Sequence, residues 1–175
     1  AVGAPFAVLV AEQLFASGCR LLVSVTSAGQ ITPIGPTPYF VLIDRALRDE
    51  GTSYHYLPGS TFAEAPDAPL LARVEQAGRA LQGITLHRGA TWTTDAPYRE
   101  TESAIARARQ LGALAVEMEA AALYAFSTTS GHSVVCFAHV TNAMAQSEGD
   151  FEKGEADGAK ATLAIAGVGA RGWQS

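Results

Sequence analysis

Strand-like and helix-like segments alternate along most of this 175-residue chain. The first are short apolar runs, and the second repeat apolar residues every three or four positions. We expect strands at 20–27, 39–46, 84–92, 111–116 and 133–141, and helices at 5–18, 67–81, 100–110, 119–129 and 154–168. Because strands that alternate with helices favour parallel pairing, the pattern predicts a layered α/β fold with a mostly parallel sheet.

Length and composition indicate a single domain over residues 1–175 that binds a small molecule. With 48% hydrophobic residues, the chain can bury one sizeable core. The proline-containing segments 32–38 and 58–69 are expected to be ordered loops, because apolar segments flank both closely. The formal net charge is -5 and the 12 Lys and Arg residues are scattered, so nucleic acids and anionic membranes are poor partners.

The sequence favours a cytoplasmic protein without a membrane span. Residues 1–15 lack a basic leader, so we expect no signal peptide. The longest apolar candidate, 111–126, contains two Glu residues and falls short of the roughly 18 uninterrupted residues that a span needs. Cys19 and Cys136 lie far apart in apolar runs, which indicates buried thiols rather than a disulfide.

Two carboxylates flank a methionine where an apolar run passes into an Ala-rich helix, in the sequence AVEMEAAALY at 115–124. We expect Glu119 in the first turn of that helix, where the helix dipole favours a negative charge. A carboxylate at this junction is both fixed in place and exposed to a ligand. A charge that only complements the dipole is the structural alternative.

Three segments carry a family resemblance in the same order along the chain. They are TSAG at 26–29, TWTTDAPYRE at 91–100 and VEMEAA at 116–121, and RDEGTSYHY at 48–56 adds to them. They resemble the nucleoside phosphorylase family, which includes uridine phosphorylase, hexameric purine nucleoside phosphorylase and methylthioadenosine nucleosidase. The resemblance covers nearly the whole chain. It implies a three-layer α/β/α fold with a mixed, mostly parallel central sheet.

The same resemblance implies an N-terminally incomplete chain that holds the C-terminal two-thirds of the family fold. Family members carry roughly the first third ahead of the opening helix, including a glycine-rich turn whose N–H groups bind phosphate. We therefore expect these 175 residues alone to be weakly active or inactive.

The resemblance assigns the sugar to the two carboxylates and the methionine between them. Glu119 would bind the ribose hydroxyls, since a carboxylate can accept hydrogen bonds from two adjacent hydroxyls. Met118 would lie against the apolar face of the sugar, with ordinary core packing as the alternative. Glu117 would lie at the sugar or base edge, and the alternative is a strand-end carboxylate turned to solvent.

Phosphate would bind at the turn that follows the first strand. Ser27 matches the Ser or Thr that contacts phosphate in the phosphorylases, and Gly29 fits the turn. A simple strand-to-loop turn is the alternative. Phosphorylases usually place an arginine three residues before that Ser or Thr, whereas this chain has Ser24. The departure favours a hydrolase that uses water.

The base would be held by an aromatic segment and by a strand-end amide. Trp92 and Tyr98 match the loop that stacks on the base, although core or lid positions would suit them equally. Arg99 is the nearest cation that could reach the base, and a solvated arginine is the alternative. Asn142 replaces the aspartic acid of adenine-accepting members, and its amide suits uracil or a 6-oxopurine. A strand-ending Asn is its structural alternative.

The resemblance therefore predicts a glycosyltransferase that converts a uridine- or purine-type nucleoside and phosphate into free base and pentose 1-phosphate. Glu119 and Asn142 are the expected catalytic residues. A nucleosidase that uses water and a nucleoside-binding relative without turnover are the alternatives. No cofactor besides inorganic phosphate is expected, and the four His residues show no metal spacing. By the resemblance, the protein assembles as a dimer or as a hexamer of dimers.

Overall fold

The computed structural model describes residues 2–143 and 158–174. The helices in these ranges are α1 (Ala4–Ala16), α2 (Ser53–Tyr56), α3 (Ala68–Arg79), α4 (Glu102–Gln110), α5 (Ala120–Ser130) and α6 (Ala159–Gln174). The strands are β1 (Leu21–Gln30), β2 (Tyr39–Asp49), β3 (Phe62–Glu64), β4 (Leu86–Thr94), β5 (Ala113–Glu117) and β6 (Ser133–Ala143). A 3₁₀ turn, Pro97–Arg99, precedes α4.

Local sequence signals fix several helix ends. Asp67 caps α3 by accepting a hydrogen bond from the Leu70 N–H at 2.8 Å. Thr101 caps α4 in the same way through the Ala104 N–H at 3.3 Å. Helix α5 ends at Gly131, whose φ of 72° lies in the left-handed region that suits glycine. Because α5 stops there, β6 begins two residues later at Ser133.

The six strands form one mixed sheet in the order β3-β2-β4-β5-β1-β6. The pairs β1–β6, β2–β4 and β4–β5 are parallel, and β1–β5 and β2–β3 are antiparallel. Strand β6 also pairs with β2, antiparallel, so the order turns back on itself into a ring of five strands. The β1–β5 contact in that ring involves only Gly29 and Gln30 of β1.

Helices cover both faces of the sheet. Helices α1 and α5 pack with the largest apolar cluster, which contains Phe15, Leu123 and Tyr124. Helices α3 and α6 cover a second cluster around Leu70 and Ile165. Helix α4 covers a smaller cluster next to β5. The arrangement confirms the predicted α/β fold with a mixed central sheet.

The structure adds to the predicted elements rather than replacing them. Strand β3 and helix α2 lie within stretches that the sequence did not assign to regular structure. Helix α6 extends to Gln174, beyond the predicted end at 168, and the predicted start at 154 lies outside the described residues.

Both cysteines are free thiols, with Cys136 buried and Cys19 partly buried. Within the described ranges, no helix has the length and apolar character needed to cross a membrane.

Candidate active site

The strand-to-helix junction of β5 and α5 is built from three consecutive residues, Glu117, Met118 and Glu119, which we call the carboxylate corner. Strand β5 ends at Glu117 and α5 begins at Ala120. Glu119 is therefore the residue just before the helix rather than a member of its first turn. Both carboxylates are buried, at 2% and 6% exposure, whereas Met118 is partly exposed.

The Glu117 carboxylate is saturated by donors from its own corner and from β4. Its Oε2 accepts hydrogen bonds from the Glu119 and Ala120 N–H groups, both at 2.7 Å. Its Oε1 accepts from the Thr91 hydroxyl at 3.1 Å and from the Thr93 hydroxyl. Thr93 Oγ1 in turn accepts from the Ala121 N–H at 3.0 Å. Glu117 thus satisfies N–H groups at the start of α5 and holds the corner against β4.

Burial raises the pKa of the Glu117 carboxyl to about 7, because desolvation penalises its charged form. The hydrogen bonds from Thr93, Ala120 and Glu119 act in the opposite direction and favour the carboxylate. Desolvation is the larger of the two effects. Glu117 is therefore a buried acid that titrates near neutral pH.

Glu119 accepts two of its three hydrogen bonds from distant parts of the chain. Its Oε1 accepts from the Gly3 N–H at 2.7 Å, just before α1. Its Oε2 accepts from the Thr26 hydroxyl of β1 at 2.7 Å and from the Met118 N–H at 3.3 Å. This carboxylate joins the starts of α1 and α5 to β1.

A cavity of about 170 Å³ lies beside the carboxylate corner. Its lining comes from β1, from the β4–α4 connection, from the carboxylate corner and from β6, and consists of Ser27, Ala28, Gly29, Pro97, Glu100, Val116, Glu117, Met118 and Asn142. Five of the predicted site residues are in this set: Ser27, Gly29, Glu117, Met118 and Asn142. Glu119 is not in the lining. Its carboxylate accepts a hydrogen bond from Thr26, which precedes the lining residue Ser27.

Strand pairing explains why these residues meet. Strands β1 and β6 run parallel with Gly29 opposite Asn142, so their carboxyl ends lie side by side. Gly29 also faces Val116 across the antiparallel β1–β5 pair. Residues at the carboxyl ends of neighbouring parallel strands form the usual ligand-binding edge of an α/β sheet.

The predicted base-binding residues are distributed differently. Trp92 is only 3% exposed, packs in the α4 cluster and donates from Nε1 to Asp49 Oδ2 at 2.9 Å. Tyr98 is fully exposed, at 100%. Arg99 is also exposed, and none of the three lines the cavity. Their contacts with a base stay predictions.

Glu100 is a cavity residue that the sequence analysis did not single out. It follows the 3₁₀ turn Pro97–Arg99 and lines the cavity together with Asn142. Partial burial raises the pKa of its carboxyl above the ordinary value. The sequence analysis places it at the start of the helix predicted for 100–110, so only its position in the fold distinguishes it.

The cavity contains carboxylates but no cation. Among the residues that the structure describes, no Lys or Arg lines it, whereas Glu100 and Glu117 do. Ser24, at the position of the expected arginine, lies on β1 opposite Cys136 and outside the lining. No group of three metal-ligating side chains occurs within residues 2–143 and 158–174.

A model of the family described as the phosphorylase superfamily matches residues 2–170 of this chain. An uncharacterized protein of Acanthamoeba polyphaga mimivirus is 27% identical over 142 residues, which cover 81% of this chain and 54% of that protein. The DeoD-type purine nucleoside phosphorylases of Bacillus cytotoxicus and Bacillus mycoides are each 29% identical over 131 residues, or 74% of this chain and 55% of theirs. The chain spans about half the length of these curated relatives.

Proposed function

Because the chain belongs to the phosphorylase superfamily, we propose that the complete protein cleaves the N-glycosidic bond of a nucleoside with phosphate. The products would be the free base and a pentose 1-phosphate, and no cofactor would be needed. The observation that carries the proposal is one cavity lined by Ser27, Gly29, Met118 and Asn142, which come from three separate strand ends. The similarity to purine nucleoside phosphorylases supports the reaction class.

In this proposal, the carboxylate corner holds the sugar. Glu119 accepts hydrogen bonds from the sugar hydroxyls, and Met118 contacts the apolar face of the ring. Glu117 lies at the inner edge of the sugar and keeps the start of α5 in place through the Glu119 and Ala120 N–H groups. Such fixed geometry favours the transition state, in which positive charge builds on the sugar.

Phosphate would bind at the carboxyl end of β1, with Ser27 donating its hydroxyl. Residues 26–29 belong to β1 and do not form the turn that the sequence predicts, and Gly29 is buried between β5 and β6, so it would line the phosphate site rather than offer a turn of free N–H groups. Ser27 is exposed and lines the cavity, so its hydroxyl is free to meet a ligand there. The phosphate oxygen then forms a bond to C1′ of the sugar as the bond between C1′ and the base nitrogen breaks.

The leaving base takes both electrons of the broken bond and needs a proton. Asn142 can hydrogen-bond to a uracil or a 6-oxopurine, but an amide is not an acid. Glu100 lines the same cavity, and partial burial raises the pKa of its carboxyl, so it keeps its proton to a higher pH than an ordinary glutamate. Glu100 therefore supplies that proton in our proposal, and Trp92, Tyr98 and Arg99 remain candidates for further base contacts.

A panel assay of the complete protein tests the reaction. Uridine, inosine, guanosine, adenosine and methylthioadenosine are each incubated with and without phosphate, and free base and pentose 1-phosphate are measured. We expect phosphate-dependent release of both products from uridine or a 6-oxopurine nucleoside. Absence of turnover on every nucleoside under both conditions would overturn the proposal, and calorimetric binding without turnover would indicate a binding protein.

A nucleosidase is the second candidate, because two carboxylates and no cation line the described cavity. Phosphate is a poor ligand for such a surface unless a cation from elsewhere offsets its charge. The family resemblance implies an oligomer, and a neighbouring subunit is one source of that cation. Base release at the same rate without phosphate would select the nucleosidase.

A further inference from the structure

We infer that Thr26 makes this sugar site selective for 2′-deoxynucleosides over ribonucleosides. The inference rests on the proposed function, because it assumes that Glu119 binds the sugar hydroxyls. It begins with the number of hydrogen bonds that Glu119 already accepts. A carboxylate offers about four acceptor positions, two on each oxygen.

Three of these acceptor positions are filled from within the chain. The Gly3 N–H takes one position on Oε1, at 2.7 Å. The Thr26 hydroxyl and the Met118 N–H take both positions on Oε2, at 2.7 and 3.3 Å. Among the residues that the structure describes, no donor occupies the second position on Oε1, and this is the position that we assign to a ligand.

A ribose presents two adjacent hydroxyls, whereas a 2′-deoxyribose presents only the 3′-hydroxyl at this edge. One free acceptor position therefore satisfies the deoxy sugar completely and the ribose only in part. The ribose would need to displace a donor that the protein itself provides, or leave one hydroxyl unpaired in a buried site. Either outcome costs binding free energy.

Thr26 is the donor whose displacement is chemically simplest. Gly3 and Met118 donate backbone N–H groups, which cannot turn away without moving α1 or the carboxylate corner. The Thr26 side chain can rotate, and its hydroxyl also lies 3.3 Å from the Ser27 carbonyl oxygen. That move exchanges a hydrogen bond to a carboxylate for a weaker one to a neutral carbonyl. The Thr26 hydroxyl thus occupies a position that a second sugar hydroxyl would take.

The test compares matched sugars in three forms of the complete protein: wild type, Thr26→Val and Thr26→Ser. Valine has nearly the shape of threonine but no donor, and serine keeps the hydroxyl. The kcat/KM values are measured for inosine with 2′-deoxyinosine and for uridine with 2′-deoxyuridine. Urea denaturation of each variant checks that the substitution leaves the protein folded.

We expect the wild type to cleave the deoxy sugar at least as efficiently as the ribose. Thr26→Val should raise the ribose-to-deoxyribose ratio of kcat/KM by about tenfold, as expected for one charge-assisted hydrogen bond. Thr26→Ser should leave the ratio as it is. A change below about fivefold in Thr26→Val, or an equal change in Thr26→Ser, would overturn the inference.

Failure of this inference and failure of the proposed function give different results. If the protein cleaves nucleosides but Thr26→Val has the same ribose-to-deoxyribose ratio of kcat/KM as the wild type, only the role of Thr26 is overturned. If the wild type binds nucleosides without turnover, calorimetric Kd values for the same sugar pairs replace kcat/KM, with the same expected ratios. A wild type that neither binds nor cleaves any of the four nucleosides overturns both.

Discussion

The carboxylate corner and the segment 95–100, which we call the outer segment, lie on two sides of the same cavity but are built in opposite ways. In the corner, both carboxylates are buried, and each accepts at least one hydrogen bond at 2.7 Å from a backbone N–H group. In the outer segment, Tyr98 is fully exposed, and only Pro97 and Glu100 reach the cavity lining.

The difference indicates where specificity is already fixed. Preorganised donors and acceptors need no rearrangement when a ligand arrives, so the carboxylate corner, which holds the sugar in our proposal, is ready for a ligand. The outer segment, which we propose as the base side, would have to gain its contacts on binding, from its own movement or from another chain. We therefore expect substitutions in the corner to have larger effects than substitutions in the outer segment.

Glu119→Gln should have the largest effect on activity. Glutamine has a single acceptor oxygen, and its NH₂ group would face either the Gly3 N–H or the Thr26 hydroxyl, depending on which oxygen it replaces. In the complete protein, kcat/KM should fall by about two to three orders of magnitude. Glu102→Gln, at an exposed position of α4, is the matched control and should change little. A loss of kcat/KM below about tenfold would mean that the sugar binds elsewhere, and the contrast between the carboxylate corner and the outer segment would then fail.

Glu117→Gln should change the pH dependence of stability. The pKa of Glu117 is raised to about 7 in the folded protein, so the folded state binds more protons than the unfolded state between pH 4.5 and 7. The free energy of unfolding of the wild type should therefore fall, relative to the variant, as pH rises through that window. The change should be on the order of 3 kcal/mol.

Urea denaturation of both proteins at several pH values between pH 4 and pH 8 gives the free energy of unfolding of each, and the difference between them is compared across that range. Parallel stability curves would mean that Glu117 is charged throughout and that its four donors outweigh burial.

Glu100→Gln tests the only carboxylate that the outer segment contributes to the cavity lining. A general acid of this kind contributes about 10²-fold to the rate, so kcat should fall by about that factor. In the wild type, kcat/KM should decline as pH rises through the raised pKa of Glu100, and the variant should lose this limb of the profile. Glu117 lines the same cavity and titrates near neutral pH, so a limb that persists in Glu100→Gln would be assigned to it.

Trp92→Phe distinguishes a core residue from a base-stacking one. The substitution removes the Nε1–H donor to Asp49 and should lower the free energy of unfolding by about 1 kcal/mol. The KM for nucleoside should be unchanged, because Trp92 lies outside the cavity lining. A rise in KM without loss of stability would instead support the base contact that the sequence predicts.

Tyr98→Ala should have the smallest effect on stability, within about 0.5 kcal/mol, because the side chain is fully exposed. If Tyr98 closes over a bound base, the KM for nucleoside should rise by about two- to tenfold. Stability comes from thermal denaturation and KM from initial rates. An unchanged KM would show that the outer segment contributes no stacking through this residue.

The sequence predicted the fold well because periodicity is a local property. The apolar spacing at 67–81 gave α3, and the apolar run at 111–116 gave β5, each within a few residues of the observed bounds. The β2–β6 pairing was not predicted, because it joins strands about 100 residues apart that carry no complementary signal. Strand β3 has only three residues, too few to show alternation.

The candidate site was predicted from the family resemblance rather than from the strand and helix pattern. The resemblance named Ser27, Met118 and Asn142, and the structure brings these three residues to one cavity. The burial of Glu117 was not expected, because carboxylates are mostly exposed and its partners Thr91 and Thr93 belong to another strand. The sequence analysis did not single out Thr26 and Glu100, because the hydrogen bond of Thr26 to Glu119 and the place of Glu100 in the cavity lining depend on residues distant in sequence.

The Gly3–Glu119 hydrogen bond has a consequence for the order of folding. It joins residues 116 positions apart, so neither partner can form it from local structure. Contacts of such long separation carry a high loop-closure entropy and form late in folding. During synthesis, α1 emerges well before α5. The Gly3–Glu119 hydrogen bond can form only after the sheet has brought the starts of these two helices together. Glu119, which binds the sugar in our proposal, is therefore expected to reach its final position only in the last stages of folding.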